Sequence, residues 1–175
     1  MTNHSIEIWH QLANDMIGND LYEEALYYFD RILEVDPLNH RAVDGKANML
    51  DILGRVEEAL ECIDSYLEVN SSDVYIWILK GDLLYVHHSD YEGALDCFNR
   101  ALNIDPNNEE AWVKKAYALK EVGEYAEAAE CFKTAMQLFN DTLTLEYPID
   151  YWESSREYYR ELSEEYNNCF KIRGS

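Results

Sequence analysis

Apolar residues recur along this chain at spacings of three, four and seven, in blocks parted by short polar breaks. That period places them on one face of a helix. The blocks also resemble one another. The ten residues 30–39 and 99–108 share an Asp-Pro step, an amphipathic run before it and an asparagine after it, and 64–73 repeats the run without the proline. Upstream of each lies a second shared phrase, at Tyr22–Leu26, Val56–Leu60, Tyr91–Leu95 and Tyr125–Ala129. The alanines inside these phrases, Ala25, Ala59, Ala94 and Ala128, are separated by 34, 35 and 34 positions.

Other columns fall into the same register. Sixteen or seventeen residues before each alanine stand Trp9, Val43, Trp77 and Trp112, and four further on the small residues Ala13, Ala47, Gly81 and Ala116. Four after each alanine come Phe29, Ile63, Phe98 and Phe132; seven after it come Ile32, Tyr66, Ala101 and Ala135. Each repeat is therefore expected to be two helices, with Gly54 and Gly123 at the joints inside repeats and Asp36-Pro37 and Asp105-Pro106 between them. Asn39 and Asn108 are placed to cap the helices that follow, with Glu109 and Glu110 near a positive dipole end. The small residue of one helix and the alanine of the other let two backbones approach, and a neighbouring aromatic fills the space beside them. A lone pair cannot bury its faces, so the pairs must stack.

A tryptophan, a small residue, then tyrosine, alanine, phenylalanine, alanine and proline over 34 residues resembles the tetratricopeptide repeat. The resemblance covers about Ile6 to Thr142, as repeats 6–39, 40–73, 74–108 and 109–142. It implies an all-α fold, a right-handed superhelical solenoid of antiparallel helix pairs, as a single domain over 1–175. A pentatricopeptide array has 35-residue repeats, but three of the four here have 34.

Departures from the pattern carry expectations of their own. Leu12 keeps the usual leucine three residues after the tryptophan, whereas Lys46, Lys80 and Lys115 replace it elsewhere; their stems are expected to lie along the core with the ammonium reaching the acidic surface. Asp20 holds the turn position where glycine is usual, with Gly18 displaced, so that turn is expected to be irregular. The extra residue of the third repeat falls near His87-His88-Ser89. After Pro148, residues 149–169 read as a capping helix, with Tyr151, Trp152, Tyr158, Tyr159, Leu162 and Tyr166 on one side, Ser155 as a small position and glutamates elsewhere. Trp152 and Tyr159 also fit the start of a fifth repeat, whose small position would be Arg156 and would oppose further stacking.

Composition narrows the function. With 47 % apolar residues and 13 % aromatics the chain is too rich for a disordered protein. Thirty-five acidic against fourteen basic residues give a formal charge of −21, which repels nucleic-acid phosphates and anionic membrane surfaces and either serves solubility alone or steers a basic partner. No basic-then-apolar leader opens the sequence and no apolar run approaches a membrane span, so the expected location is cytoplasmic. Cys62, Cys97 and Cys131 recur 35 and 34 residues apart; equivalent positions in stacked repeats lie about 10 Å or more apart, too far for a metal or a disulfide. They are read as small semi-buried thiols, and Cys169 as the more reactive one. No metal, glycine-rich phosphate or nucleophile–histidine motif is present; no cofactor is expected and the chain is not read as an enzyme.

The resemblance also implies a ligand face along the first helices, at the second, fifth, sixth, ninth and twelfth residues of each repeat. Those positions hold Glu7, His10, Gln11, Asn14 and Ile17; Arg41, Asp44, Gly45, Asn48 and Asp51; Tyr75, Ile78, Leu79, Asp82 and Tyr85; and Glu110, Val113, Lys114, Tyr117 and Lys120. The carboxylate clamp of chaperone-binding relatives is not reproduced, because His10, Gly45, Tyr75 and Leu79 stand where it needs other residues. The groove candidates are Asn14, Asn48 and Asp82 as partners for a ligand backbone, Lys114 as a cation, and Tyr75, Ile78, Leu79, Tyr85, Val113 and Tyr117 as an apolar patch. The expected function is a non-catalytic scaffold that binds a protein or peptide, basic or with apolar anchors. The alternatives are a self-associating homo-oligomer, a homodimer being the simplest, and a regulatory subunit of an enzyme complex.

Overall fold

The computed structural model describes residues 2–143, 160, 161, 163–169 and 171. All regular structure among them is helical: α1 (Thr2–Ile17), α2 (Tyr22–Val35), α3 (His40–Ile52), α4 (Val56–Val69), α5 (Val74–Leu83), a π-helical turn (Leu84–His88), α6 (Tyr91–Ile104), α7 (Glu109–Glu121) and α8 (Tyr125–Leu143). The chain forms two compact units, 1–83 and 84–175.

In the first unit α1 packs on α2, α2 on α3, α3 on α4 and α4 on α5. The small residues of the repeat sit at its centre: Ala13, Ala25, Ala47 and Ala59 are fully buried, with Phe29, Ile32, Ile63 and Tyr66 wedged around them. Gly45 belongs to the same packing. A Cβ there would stand 2.3 Å from the tip of the Phe29 ring, so α3 approaches α2 only because position 45 has no side chain.

The second unit joins α6 to α7 and α7 to α8. Ala116, Ala128, Ala135 and Phe132 are fully buried. Tyr166 and Cys169, from the helical residues near the C-terminus, pack into this core. Of the expected capping helix, Pro148, Tyr151, Trp152, Ser155, Arg156, Tyr158, Tyr159 and Leu162 lie outside the described residues.

The helix ends show how the punctuation works. Asn39 accepts a hydrogen bond from the Ala42 amide at 3.2 Å and Asn108 one from the Ala111 amide at 2.8 Å, the caps read from the sequence. Asp73 does the same for Ile76 and Asp90 for Gly93. Gly54 and Gly123 have φ of +73° and +87°, and each turn closes with a six-residue bond, Arg55 N–H to Leu50 O at 2.8 Å and Glu124 N–H to Leu119 O at 2.9 Å. The first turn corrects the expectation of irregularity. Asp20 adopts φ +59° in the glycine's place and Leu21 N–H reaches Met16 O at 2.9 Å. Aspartate tolerates the left-handed region, so the geometry survives the exchange. In the third repeat the extra residue widens the end of the first helix into the π-helical turn, closed by Asp90 N–H to Leu84 O at 3.1 Å, with Ser89 at φ +50°.

Two of the three lysines reach carboxylates as expected, and the third lies over a ring. Lys46 reaches Asp30 at 2.6 Å and Lys80 reaches Asp64 at 2.5 Å, each on the preceding helix. Lys115 lies over the Trp112 ring, 5.4 Å from its centroid.

Candidate binding faces

Within the first unit the first helices of successive repeats are neighbours. Arg41 at the start of α3 lies 3.9 Å from Glu7 on α1, and His40 meets the Tyr75 ring of α5 edge-on at 5.6 Å. Asn14 opens into a shallow cleft of about 290 Å³ with His4, Glu7, Ile8, His10, Gln11 and Arg41. Both signs of charge meet there, and Ile8 supplies an exposed apolar surface that the repeat positions did not point to.

His10 forms the floor of that cleft. Only 4 % of it is exposed, and its Nε2 lies 3.1 Å from Asn39 Oδ1. Burial disfavours the imidazolium and outweighs the Asn39 hydrogen bond, so its pKa falls below the ordinary 6.5. His10 is thus mainly a core residue that ties α1 to the cap of α3.

Tyr75 stands at the opposite end of this face, 45 % exposed. A polar chain supports it from behind: His40 Nδ1 lies 2.7 Å from Asp73 Oδ2, the Tyr66 hydroxyl donates to the same oxygen at 2.7 Å, and Asn70 donates to that hydroxyl. Burial works against the Asp73 carboxylate, but the Tyr66, His40 and Ile76 donors prevail and hold its pKa below the usual 3.8. Burial and Asp73 push the Tyr66 hydroxyl up to about 12. Asn48 donates to Asp44 at 2.6 Å. Leu79 and Asp82 are half-buried, Leu79 against the unit's core. Ile78 is buried, 3 % exposed, and offers a ligand nothing beyond the packing it already makes.

In the second unit Tyr85 rests edge-on against Tyr91 at 5.3 Å, its hydroxyl 3.5 Å from Glu121. Val113 is buried and Lys114 lies 3.8 Å from Glu110. Tyr117 packs edge-on against Phe132 at 5.2 Å, and Lys120 lies over its ring at 5.5 Å. Lys120 is ion-paired with Glu165 from the C-terminal helical residues. Burial alone would lower the Lys120 pKa; Glu165 outweighs it and holds the ammonium above its ordinary value. No spacing rule linked Lys120 to Glu165, because they lie 45 residues apart.

All four cysteines are free thiols. Burial raises the pKa of Cys62 and lifts Cys131 to about 11. Cys169 corrects the sequence reading: it is 1 % exposed, and burial pushes its thiol up, against the pull of Lys120. Among the described residues no three His, Cys, Asp or Glu side chains converge as a metal site would require, and no helix is long and apolar enough to cross a membrane.

Helix pairs of this geometry, stacked through small residues at a 34-residue period, match three family models. Two described as tetratricopeptide repeat cover residues 10–68 and 109–142, and one described as TPR repeat covers 83–123. The chain belongs to the tetratricopeptide-repeat (TPR) family. Among curated relatives, a TPR repeat-containing protein of Methanocaldococcus jannaschii is 28 % identical over 131 residues, 75 % of this chain and 23 % of its own length. DnaJ homolog subfamily C member 7 of Homo sapiens is 29 % identical over 71 % of this chain and 26 % of its own. ER membrane protein complex subunit 2-A of Xenopus laevis is 33 % identical over 50 % of this chain and 29 % of its own. The TPR chain thus spans between 23 % and 29 % of these relatives. Among solved structures, MamA from Desulfovibrio magneticus superposes with a TM-score of 0.67 at 14 % identity, covering 97 % of this chain and 95 % of that one. The TPR protein YrrB gives 0.60 at 21 %, covering 92 % and 84 %. The fold is therefore the all-α TPR solenoid, a protein-interaction fold.

Proposed function

We propose that this TPR chain is a non-catalytic docking module that takes a peptide or helix of another protein across the face made by α1, α3 and α5. The observation that carries the reading is Tyr75, a large aromatic held 45 % exposed by a hydrogen-bonded support behind it. An aromatic fixed in this way loses little entropy on contact, which is what an interface anchor needs. Asn14 and Asn48 on the same set of helices supply amide groups for a ligand backbone, and the surplus of acidic residues favours a basic partner. YrrB is described as a TPR protein with an unusual peptide-binding site, and one relative is named as a subunit of a membrane protein complex. Both accord with a component that works by holding other chains.

The test is a photo-crosslinking residue placed at Tyr75 or, as a control, at Tyr27, which is 60 % exposed on α2. Crosslinks to one defined protein from position 75 and not from 27 are expected. Equal crosslinking from both would overturn the assignment of the face. A product of twice the chain's mass from position 75 alone would replace the foreign partner by a second copy.

A further inference from the structure

Three repeats carry tryptophan at the position where the second carries Val43. Two of those indoles are held alike. Trp77 Nε1 donates to the Ser71 carbonyl at 2.9 Å and Trp112 Nε1 to the Pro106 carbonyl at 2.8 Å, each acceptor six residues upstream in the turn between repeats. A lysine three residues downstream lies over each ring, Lys80 at 5.9 Å and Lys115 at 5.4 Å from the centroid.

The second repeat retains everything but the indole. Pro37 stands six residues before Val43, and Lys46 three after it. Pro37, Val43 and Lys46 together line an open cleft of about 380 Å³, with Leu38, Cys62 and Val69 also among its walls. Val43 is 1 % exposed at its floor, while Leu38 and Val69 stand 44 % and 71 % exposed at its rim. Its size falls in the ~300–1,000 Å³ range of pockets that enclose a small ligand.

We propose that this cleft receives a tryptophan side chain of a partner protein, in the place the chain's own indole takes in the third and fourth repeats. The cleft walls supply the apolar sides, the Pro37 carbonyl the acceptor for the indole N–H, and Lys46 the cation near the ring. The surroundings select what flanks that tryptophan. Lys46 is paired with Asp30 and Glu58 with Arg55, whereas Glu61, also in the wall, forms no ion pair among the described residues. In a chain of net charge −21 the fitting segment is basic. This cleft is lined by the Pro37–Leu38 turn and by residues of α2, α3 and α4. Tyr66, part of the support behind Tyr75, stands in its wall, but Asn14, Asn48 and Tyr75 themselves do not, so different variants test the two sites.

The probe is a blocked pentapeptide with one tryptophan between two pairs of lysines, titrated into the full isotope-labelled chain and followed by amide NMR. Saturable shifts are expected at Leu38, Val43, Cys62 and Val69, with affinity about tenfold or more weaker when alanine replaces the tryptophan. Val43→Trp is expected to lose the binding, because its own indole fills the cleft. Should that variant not fold, Leu38→Ser with Val69→Ser, both at the exposed rim, is expected to give the same loss. Absence of shifts at millimolar peptide, shifts confined to other residues, or equal affinity for the alanine peptide would overturn the proposal. So would a wild-type dimer in light scattering that either variant abolishes, since the cleft's occupant would then be a second copy.

Discussion

The Phe29 ring lies over the bare Cα of Gly45, so closely that a Cβ on residue 45 would come within 2.3 Å of ring carbon Cζ and 2.6 Å of Cε1. Phe29 is 3 % exposed and is held between α2 and α3. It cannot move aside without opening the core. Gly45→Ala is therefore expected to destabilise the first unit by about 1–3 kcal/mol despite the better helix propensity of alanine. Urea unfolding measures it, and a variant as stable as wild type would mean the two helices separate freely.

The repeat alanines make the same claim in the second unit. Ala94 is fully buried on α6, and Ala94→Leu is expected to lower stability by roughly 1–3 kcal/mol through overpacking. An unchanged melting temperature would show spare room that the burial does not suggest.

The left-handed turn residues should respond in opposite directions. Ser89 sits at φ +50° without the freedom of glycine, so Ser89→Gly is expected to stabilise by about 0.5–1 kcal/mol. Gly54, at φ +73° with nothing within 4 Å of where a Cβ would stand, should lose about 1 kcal/mol on Gly54→Ala from backbone strain alone. Thermal melts of the two single variants check the signs.

His10 makes stability depend on pH. Its folded pKa lies below 6.5 because burial disfavours the charge; Asn39 and Glu7 oppose that shift and Arg41 adds to it. Between the two pKa values the unfolded chain binds more protons, so the His10 contribution is complete above pH 6.5 and is lost as pH falls through the lower, folded value. Asp73 acts further down, its contribution present above 3.8 and lost as pH falls through its depressed pKa. Unfolding free energies from pH 7.5 to pH 5 should fall more steeply for wild type than for His10→Gln. Parallel curves would remove His10 from the account.

Thiol chemistry should rank the cysteines by burial. Cys62 is half-buried at the wall of a cleft, whereas Cys97, Cys131 and Cys169 are buried at 4 %, 5 % and 1 % exposure. Mass spectrometry of the native chain after brief alkylation should find Cys62 modified first. Early labelling of Cys169 would restore it as the reactive thiol.

The helix pair of each repeat, the turns between helices and the central alanines were legible in the sequence because they follow from local rules repeated four times in register. The period of 34 residues fixed which faces pack, and Asn39, Asn108, Gly54 and Gly123 marked the ends through chemistry each carries on its own. The candidate face was legible less completely. Repeat positions named Tyr75 and Asn14, but they treated Ile78 and Val113 as equally available, and both are buried. A position number says where a Cα lies on a helix; how much of the side chain a neighbouring helix covers depends on crossing geometry and on residues far along the chain. The same reason hid the pairing of Lys120 with Glu165 and the burial of Cys169. Even the cleft at Val43 was half visible, as one valine in a column of tryptophans. That the gap stays open, with Leu38 and Val69 standing at its rim and not collapsing into it, was decided by tertiary packing alone, because the helices around it are already held apart by the contacts they make elsewhere.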